Sequence, residues 1–245
     1  MISLDLKDFS LTYKKLGATA ILIEWPQIIS EEILTDILSF QSSIEKSTPS
    51  GLIELVSAYA SLTLIFEDTK DIESITKELK ALYTARISNP SNNKTWVIPV
   101  CYEEQFGIDL QEISSALKLS KQEIIDLHIS QSYRVHFIGF LPGFLYLGGL
   151  NGKLHCPRKE TPRLEIKKGS VGIGGSQTGI YPIASPGGWN IIGSTPIPLF
   201  DNSKSHPCFV SPGDTIKFES IDQLTHDQII REVEQGSYTP KAEIL

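Results

Sequence analysis

The sequence predicts an α+β protein in which a ferredoxin-like α/β domain over residues 1–92 precedes a β-barrel domain over residues 93–245. Three observations support that expectation. Apolar runs alternate with amphipathic helical segments through the first hundred residues. The polar segment SNPSNNK (Ser88–Lys94), with its turn-forming Asn-Pro, separates the two textures. From Tyr133 onward, short apolar runs are broken by closely spaced Gly and Pro, a rhythm that leaves little room for helix.

Taken in order, ATAILIEW (Ala18–Trp25) reads as a strand. Ser30, followed by Glu31, Glu32 and apolar Ile33, Leu34, Ile37 and Leu38, reads as an N-capped amphipathic helix. GLIELVSAYASLTLIF (Gly51–Phe66) holds two strand-like runs around Tyr59–Ala60. DIESITKELKALYTARI then places Ile72, Ile75, Leu79 and Leu82 at helical spacing, with acidic residues in the first turn. TWVIPV (Thr95–Val100) completes a β-α-β-β-α-β order, that of a split βαβ arrangement. QEISSALKLSKQEIIDLHIS (Gln111–Ser130) offers two short helices joined near Leu119–Ser120. Its acidic balance gives it no reason to enter a nucleic-acid groove, so it reads as a packing hairpin. The barrel strands are expected in YRVHFIGF, KLHCP, GSVGIGG, GIYPI, WNIIG and DTIKF, with SPGD (Ser211–Asp214) as a turn and THDQIIREVEQG (Thr225–Gly236) as a closing helix.

The 245 residues, 40% of them hydrophobic, suffice for an ordinary core. A net charge of −7 opposes nucleic-acid binding, which draws most of its affinity from Lys and Arg. That charge is unevenly spread: residues 1–90 carry 8 basic against 13 acidic side chains. By contrast, Lys153, Arg158, Lys159, Arg163, Lys167 and Lys168 face only Glu160 and Glu165 just before the Gly-rich segment. Cys101, Cys156 and Cys208 form no CxxC pair, which argues against a disulfide framework or a thiolate metal site and fits a reducing compartment. MISLDLKDFS lacks the basic and apolar regions of a signal peptide, and no apolar run suffices for a membrane span. A cytoplasmic protein is expected.

Gly169–Trp189, GSVGIGGSQTGIYPIASPGGW, contains seven of the 18 glycines, so it is either a demanding turn or a binding surface. Nucleotide templates fail: LGGLNGKL (Leu147–Leu154) has Leu at the first Gly and the hydroxyl positions of a phosphate loop, and Gln177 stands at the third glycine of a dinucleotide fingerprint. No GxSxG elbow is present. His136 and His155 have no second ligand at metal spacing, although His136 would serve as a general base if it reached a pocket. Arg158 and Arg163 in PRKETPR present guanidinium forks beside prolines that restrict the backbone. The candidate catalytic groups are therefore His136, Arg163, Gln177 and Tyr181. The candidate anion-binding groups are Arg158, Gly174, Gly175, Thr178, Ser185, Gly187 and Gly188, with backbone amides forming a nest. Trp189 reads as a packing residue.

In order along the chain, GFLPGFLYLGGL, PRKETPR, GSVGIGGSQTGIYPIASPGGWNIIGSTPIPLFD and SPGDTIKF closely resemble the KipI family, the B-type (PxpB) subunits of 5-oxoprolinase, also called allophanate hydrolase subunit 1 and related to the carboxyltransferase part of urea carboxylase. The resemblance is strong over Tyr133–Phe218. It departs at Lys167–Lys168, where the family usually has Pro-Ala, at Ser194, where it has arginine, and at Leu145, where it has proline. It implies a KipI-type N-terminal domain and a cyclophilin-like barrel. It also implies a heteromer with a C-type (KipA-like) subunit, and an A-type (LamB/YcsF-like) subunit that completes an ATP-dependent 5-oxoprolinase converting 5-oxo-L-proline to L-glutamate. ATP, with Mg bound by the complex, is the implied cofactor, and no metal or prosthetic group is expected on this chain alone. A lactam is a poor electrophile, so coupling to ATP suits phosphorylation of its carbonyl oxygen, which calls for positive charge and fixed N–H dipoles. Inhibition of a sensor histidine kinase and a half-share in a biotin-dependent carboxyltransferase are the alternatives the resemblance leaves open.

Overall fold

The computed structural model describes residues 8–68, 71–87 and 93–243. Met1–Lys7 of the N-terminal segment and Ser88–Asn92 of the expected linker lie outside the described residues. The chain forms two compact units, Met1–Asn92 and Asn93–Leu245.

In the first unit the elements run β1 (Thr12–Leu16), β2 (Ala20–Glu24), α1 (Glu31–Ser47), β3 (Leu52–Ser57), β4 (Ser61–Phe66) and α2 (Ile72–Ala85). The sheet order is β1-β2-β4-β3, antiparallel throughout. Ser30 Oγ accepts the Ile33 amide at 3.1 Å, satisfying an orphan donor of the first turn of α1. The stripe Ile33, Ile37, Phe40 and Ile44 is buried against Leu62 and Leu64 of β4. Asp36 lies in this core at 1% exposure, and it is satisfied by Trp25 Nε1, Tyr83 Oη and Arg86 Nε, each donating at 2.7 Å. The Arg86 guanidinium also covers the Tyr83 ring at 3.6 Å.

One strand differs from the expectation. The sheet keeps the split βαβ order over β2, α1, β3, β4 and α2, but its remaining edge strand is Thr12–Leu16. TWVIPV belongs to the second unit. Its buried pattern on both faces suits an interior barrel strand, whereas TYKKL is mostly exposed and suits an edge.

The second unit contains β5 (Thr95–Cys101), α3 (Leu110–Leu117), α4 (Lys121–Ile129), β6 (Ser132–Ile138), β7 (Leu145–Gly148), β8 (Arg163–Ile166), β9 (Ser170–Gly174), β10 (Gln177–Ile180), β11 (Ser185–Gly187), β12 (Asn190–Ser194), β13 (Thr215–Ile221), α5 (Gln223–Glu234) and β14 (Lys241–Glu243). Seven strands close a barrel in the order β12-β9-β10-β7-β6-β13-β5, and Ser194 of β12 pairs Cys101 of β5 to seal it. Closure removes free edges from these strands. β14 adds to the start of β5, and β8 pairs β11 as a separate two-stranded ribbon. Val135, Leu145, Leu147, Val171, Ile173 and Ile216 fill the interior.

The helical hairpin packs on this barrel. Ser120 and Glu123 form a reciprocal capping box at the start of α4. His128, at its end, is fully buried: Nδ1 meets Tyr102 Oη at 2.7 Å, Nε2 meets Thr178 Oγ1 at 2.9 Å, and the ring stacks on Phe218 at 4.5 Å. Burial alone pushes its pKa down to about 3, so the imidazole is neutral in the folded protein. The SPGD turn is tied by Asp214, whose carboxylate accepts from the amides of Ser211 and Lys94 and from Trp96 Nε1, all at 2.9 Å. The three cysteines are free. Among the described residues no helix is long and apolar enough to cross a membrane.

Candidate functional site

The glycine-rich segment folds as the β9–β10 hairpin, and both strands are interior to the barrel. Their amides are therefore turned toward neighbouring strands. Gln177 pairs Gly174 and Ile180 pairs Val171, while Gly175 N–H donates to Cys156 O at 2.7 Å and Tyr181 N–H to Ser170 O at 2.9 Å. The anion nest expected from these amides is not what the hairpin builds. The bare backbone serves a different purpose, which is to seat Trp189. A Cβ on Gly174 would lie 2.6 Å from Trp189 Cδ1, and one on Gly179 would lie 3.0 Å from its Cζ3. Gly175, at φ +65°, makes the turn itself.

Trp189, held there, forms one wall of a cleft of about 260 Å³. Phe144 meets its indole edge-on at 5.6 Å, and Tyr181 does so at 6.5 Å. The Arg158 guanidinium lies 5.7 Å above the same ring, and its Nη2 approaches Gln177 Oε1 at 3.4 Å. Gly187 and Gly188 line the opposite rim, where a side chain at Gly187 would collide with the Tyr181 hydroxyl. Burial raises the Tyr181 pKa, although the Trp189 amide and the guanidiniums of Arg158 and Arg163 pull the other way, so the phenol stays protonated and available as a donor. Phe140, at φ +67° and 75% exposed, stands at the mouth. The cleft thus offers flat apolar faces, one exposed cation and a phenol, a set suited to a small planar anion.

On the β8 side, Arg163 forks onto Asp109, Nη2 to Oδ1 at 2.6 Å and Nη1 to Oδ2 at 3.0 Å. Asp109 is only 2% exposed; it also accepts the Ile191 amide at 2.6 Å, and Lys159 Nζ lies 3.1 Å from it. Desolvation works against the Lys159 ammonium, but its bonds to Glu112 and Asp109 outweigh that and hold its pKa above the usual range. Arg163 and Lys159 are thereby committed to a buried carboxylate, which leaves Arg158 as the exposed cation of the aromatic cleft. Arg163 lines a second cleft of about 440 Å³ with Lys167, Lys168 and His226.

Of the candidates from the sequence, Arg158, Tyr181, Gly187 and Gly188 converge on the aromatic cleft, and Gln177 borders it through its contact with Arg158. Gly174 and Gly175 lie behind it, beneath Trp189 and in the turn. The structure does not bring the remaining three to either cleft. Thr178 is fully buried, donating to Gly172 O and meeting His128. His136 is 3% exposed at a bulge in β6, with its ring packed on Gly148. Ser185 is buried in the ribbon opposite Ile166, and its hydroxyl has no hydrogen-bond partner among the described residues. Sequence reasoning missed Asp109. The only signal was an Asp ahead of a helix, which reads as an N-cap; its carboxylate makes no cap bond and turns to Arg163 instead. No group of three or more His, Cys, Asp or Glu side chains among the described residues is placed to hold a metal ion.

Comparison with known proteins accords with this architecture. The B subunit of 5-oxoprolinase from Bacillus subtilis is 36% identical over 222 residues, covering 86% of this chain and 92% of that protein. The protein of the same name from Haemophilus influenzae is 40% identical over 167 residues, covering 68% and 78%. The K. lactis urea amidolyase structure shares the fold, with a TM-score of 0.80 at 19% identity over 99% of this chain, which spans 17% of that one. Residues 11–210 match the model of the carboxyltransferase domain, subdomain C and D, and with these relatives the match shows that the chain belongs to that family.

Proposed function

We propose that this chain is the B-type subunit of a cytoplasmic, ATP-dependent 5-oxoprolinase, which opens 5-oxo-L-proline to L-glutamate together with a C-type and an A-type subunit. The observation that supports this most is the likeness to the B-type subunit of the B. subtilis 5-oxoprolinase over 92% of its length. The aromatic cleft agrees with it chemically. A lactam acid is a small, flat ring bearing one carboxylate, and the cleft offers aromatic faces with Arg158 above them. In this reading Arg158 holds the carboxylate, Trp189 and Phe144 hold the ring away from bulk water, and the Tyr181 phenol donates to the lactam carbonyl oxygen and fixes its position for phosphorylation; one water molecule would then add to the activated carbonyl carbon as the ring C–N bond breaks and phosphate leaves. ATP would supply the phosphoryl group and its Mg ion would neutralise the phosphate charge, with residues for holding both coming from the partner subunits. Phe140 and Leu164, 75% and 92% exposed, offer apolar surface to those partners.

Reconstitution tests the proposal. The chain is mixed with its C- and A-type partners, and ATP-dependent release of glutamate from 5-oxoproline is followed. Activity that requires this chain supports the reading, and activity undiminished by its omission refutes it. The family match also favours a second reading, a half-site of a biotin-dependent carboxyltransferase. Its first requirement is saturable retention of the chain and its C-type partner on a biotinylated carrier protein.

A further inference from the structure

The cleft bordered by β8 is separate from the aromatic one and has a different character. Phe106, Ile166 and Ile191 form its apolar walls, and its volume is about 440 Å³. Four charged side chains line it, and only Arg163 is neutralised, by Asp109. Lys167, Lys168 and Glu165 are exposed and hold no ion pair among the described residues, which leaves the lining with an excess of one positive charge. The fifth titratable group is unusual. His226 is 4% exposed, with its ring 4.5 Å from that of Phe106. Its Nδ1 is 3.6 Å from Asp227 Oδ1, beyond hydrogen-bond range, and Nε2 has no partner among the described residues. Burial lowers the His226 pKa and Asp227 offsets that only in part, so the ring is neutral at pH 7.

A buried imidazole with unspent hydrogen-bonding capacity carries a desolvation cost that a protein group does not repay here. A ligand entering the cleft repays it. We infer that this cleft is a second binding site, for a small oxyanion of the carboxylate or phosphate class, held by the Lys167 and Lys168 ammoniums and hydrogen-bonded by His226. The ligand carries about one negative charge, because the lining has an excess of one positive charge and Glu165 opposes a second negative charge. The inference does not depend on the 5-oxoprolinase reading, since the site is tested by binding to the full chain alone.

The test is a titration of the full-length protein with sodium phosphate and, separately, with sodium acetate and sodium L-glutamate. Ionic strength is fixed with chloride, pH is fixed at 7, and the imidazole proton–nitrogen signals are followed by NMR. The His226 signals are expected to shift saturably with at least one oxyanion, while those of exposed His206 stay in place. Which salts saturate identifies the ligand class. The double variant Lys167→Gln/Lys168→Gln should weaken that binding about tenfold, and Glu165→Gln should tighten it about twofold, as expected for partly exposed charges. These surface substitutions leave the fold intact, so their effects report on binding. Absence of any saturable His226 shift up to about 50 mM, well above the ~1 mM dissociation constant of a weak specific site, would overturn the inference. So would binding indifferent to both variants.

Discussion

Adding one methyl group at Gly174 tests whether the glycine-rich hairpin exists to seat Trp189. An alanine Cβ there would stand 2.6, 2.7 and 2.8 Å from Trp189 Cδ1, Nε1 and Cγ. Ordinary contact begins near 3.4 Å, so the indole must retreat by about 0.8 Å. It has nowhere to go without disturbing Phe144 and Tyr181, which meet it edge-on, or Gly179 beneath it. Overpacking of this kind costs about 1–3 kcal/mol. Gly175→Ala is the control: its Cβ meets nothing within 4 Å, and it carries only the strain of φ +65°, about 1 kcal/mol. The assay is urea unfolding with fluorine NMR of the protein labelled with 5-fluorotryptophan, in which Trp25, Trp96 and Trp189 give separate signals. Gly174→Ala should lose the larger free energy and move the Trp189 signal, whereas Gly175→Ala should leave that signal in place. A Gly174→Ala protein within about 0.5 kcal/mol of the parent, with Trp189 unmoved, would refute the packing argument.

Two further predictions concern buried titratable groups. His128 has its pKa lowered from 6.5 to about 3, so between those values the unfolded chain binds the proton and the folded chain does not. Stability is therefore complete above pH 6.5 and falls by about 1.4 kcal/mol per pH unit on acidification, about 2 kcal/mol by pH 5; urea titrations at pH 7 and 5 should show this loss, and His128→Gln should flatten it at the cost of a lower baseline. Asp109→Asn strips the countercharge from Arg163 and Lys159 around a buried position and should cost about 3–5 kcal/mol by chemical denaturation; a cost under 1 kcal/mol would show that the carboxylate does not organise the ribbon.

How much of this was legible in the sequence depends on how local each cause is. Ser30, the acidic first turn and the Ile33, Ile37 stripe specify α1 from nearby residues, and the Ser120–Glu123 box does so for α4. Thr12–Leu16 escaped notice because TYKKL has neither alternation nor an apolar face, its strand state being imposed by pairing with β2. TWVIPV was legible as a strand but not as a partner of β13, a parallel pairing with residues more than a hundred positions away. Within the site, the basic and aromatic residues were visible as types, and several do meet. The glycines misled because bare backbone signals close approach without naming what approaches. Trp189 packs on them through tertiary structure alone. Asp109 was hidden for the converse reason, since a helix-initiating pattern accounted for it locally while its partners lay 54 and 82 residues away.

The most direct measurement is the steady-state kinetics of the reconstituted complex carrying Arg158→Gln. If the aromatic cleft receives the carboxylate of 5-oxoproline, removing that charge-assisted contact should lower kcat/KM for 5-oxoproline by about 10- to 100-fold, with thermal unfolding of the chain unchanged. Parental kcat/KM in a variant that is folded and assembled would contradict the assignment of this cleft as the substrate site.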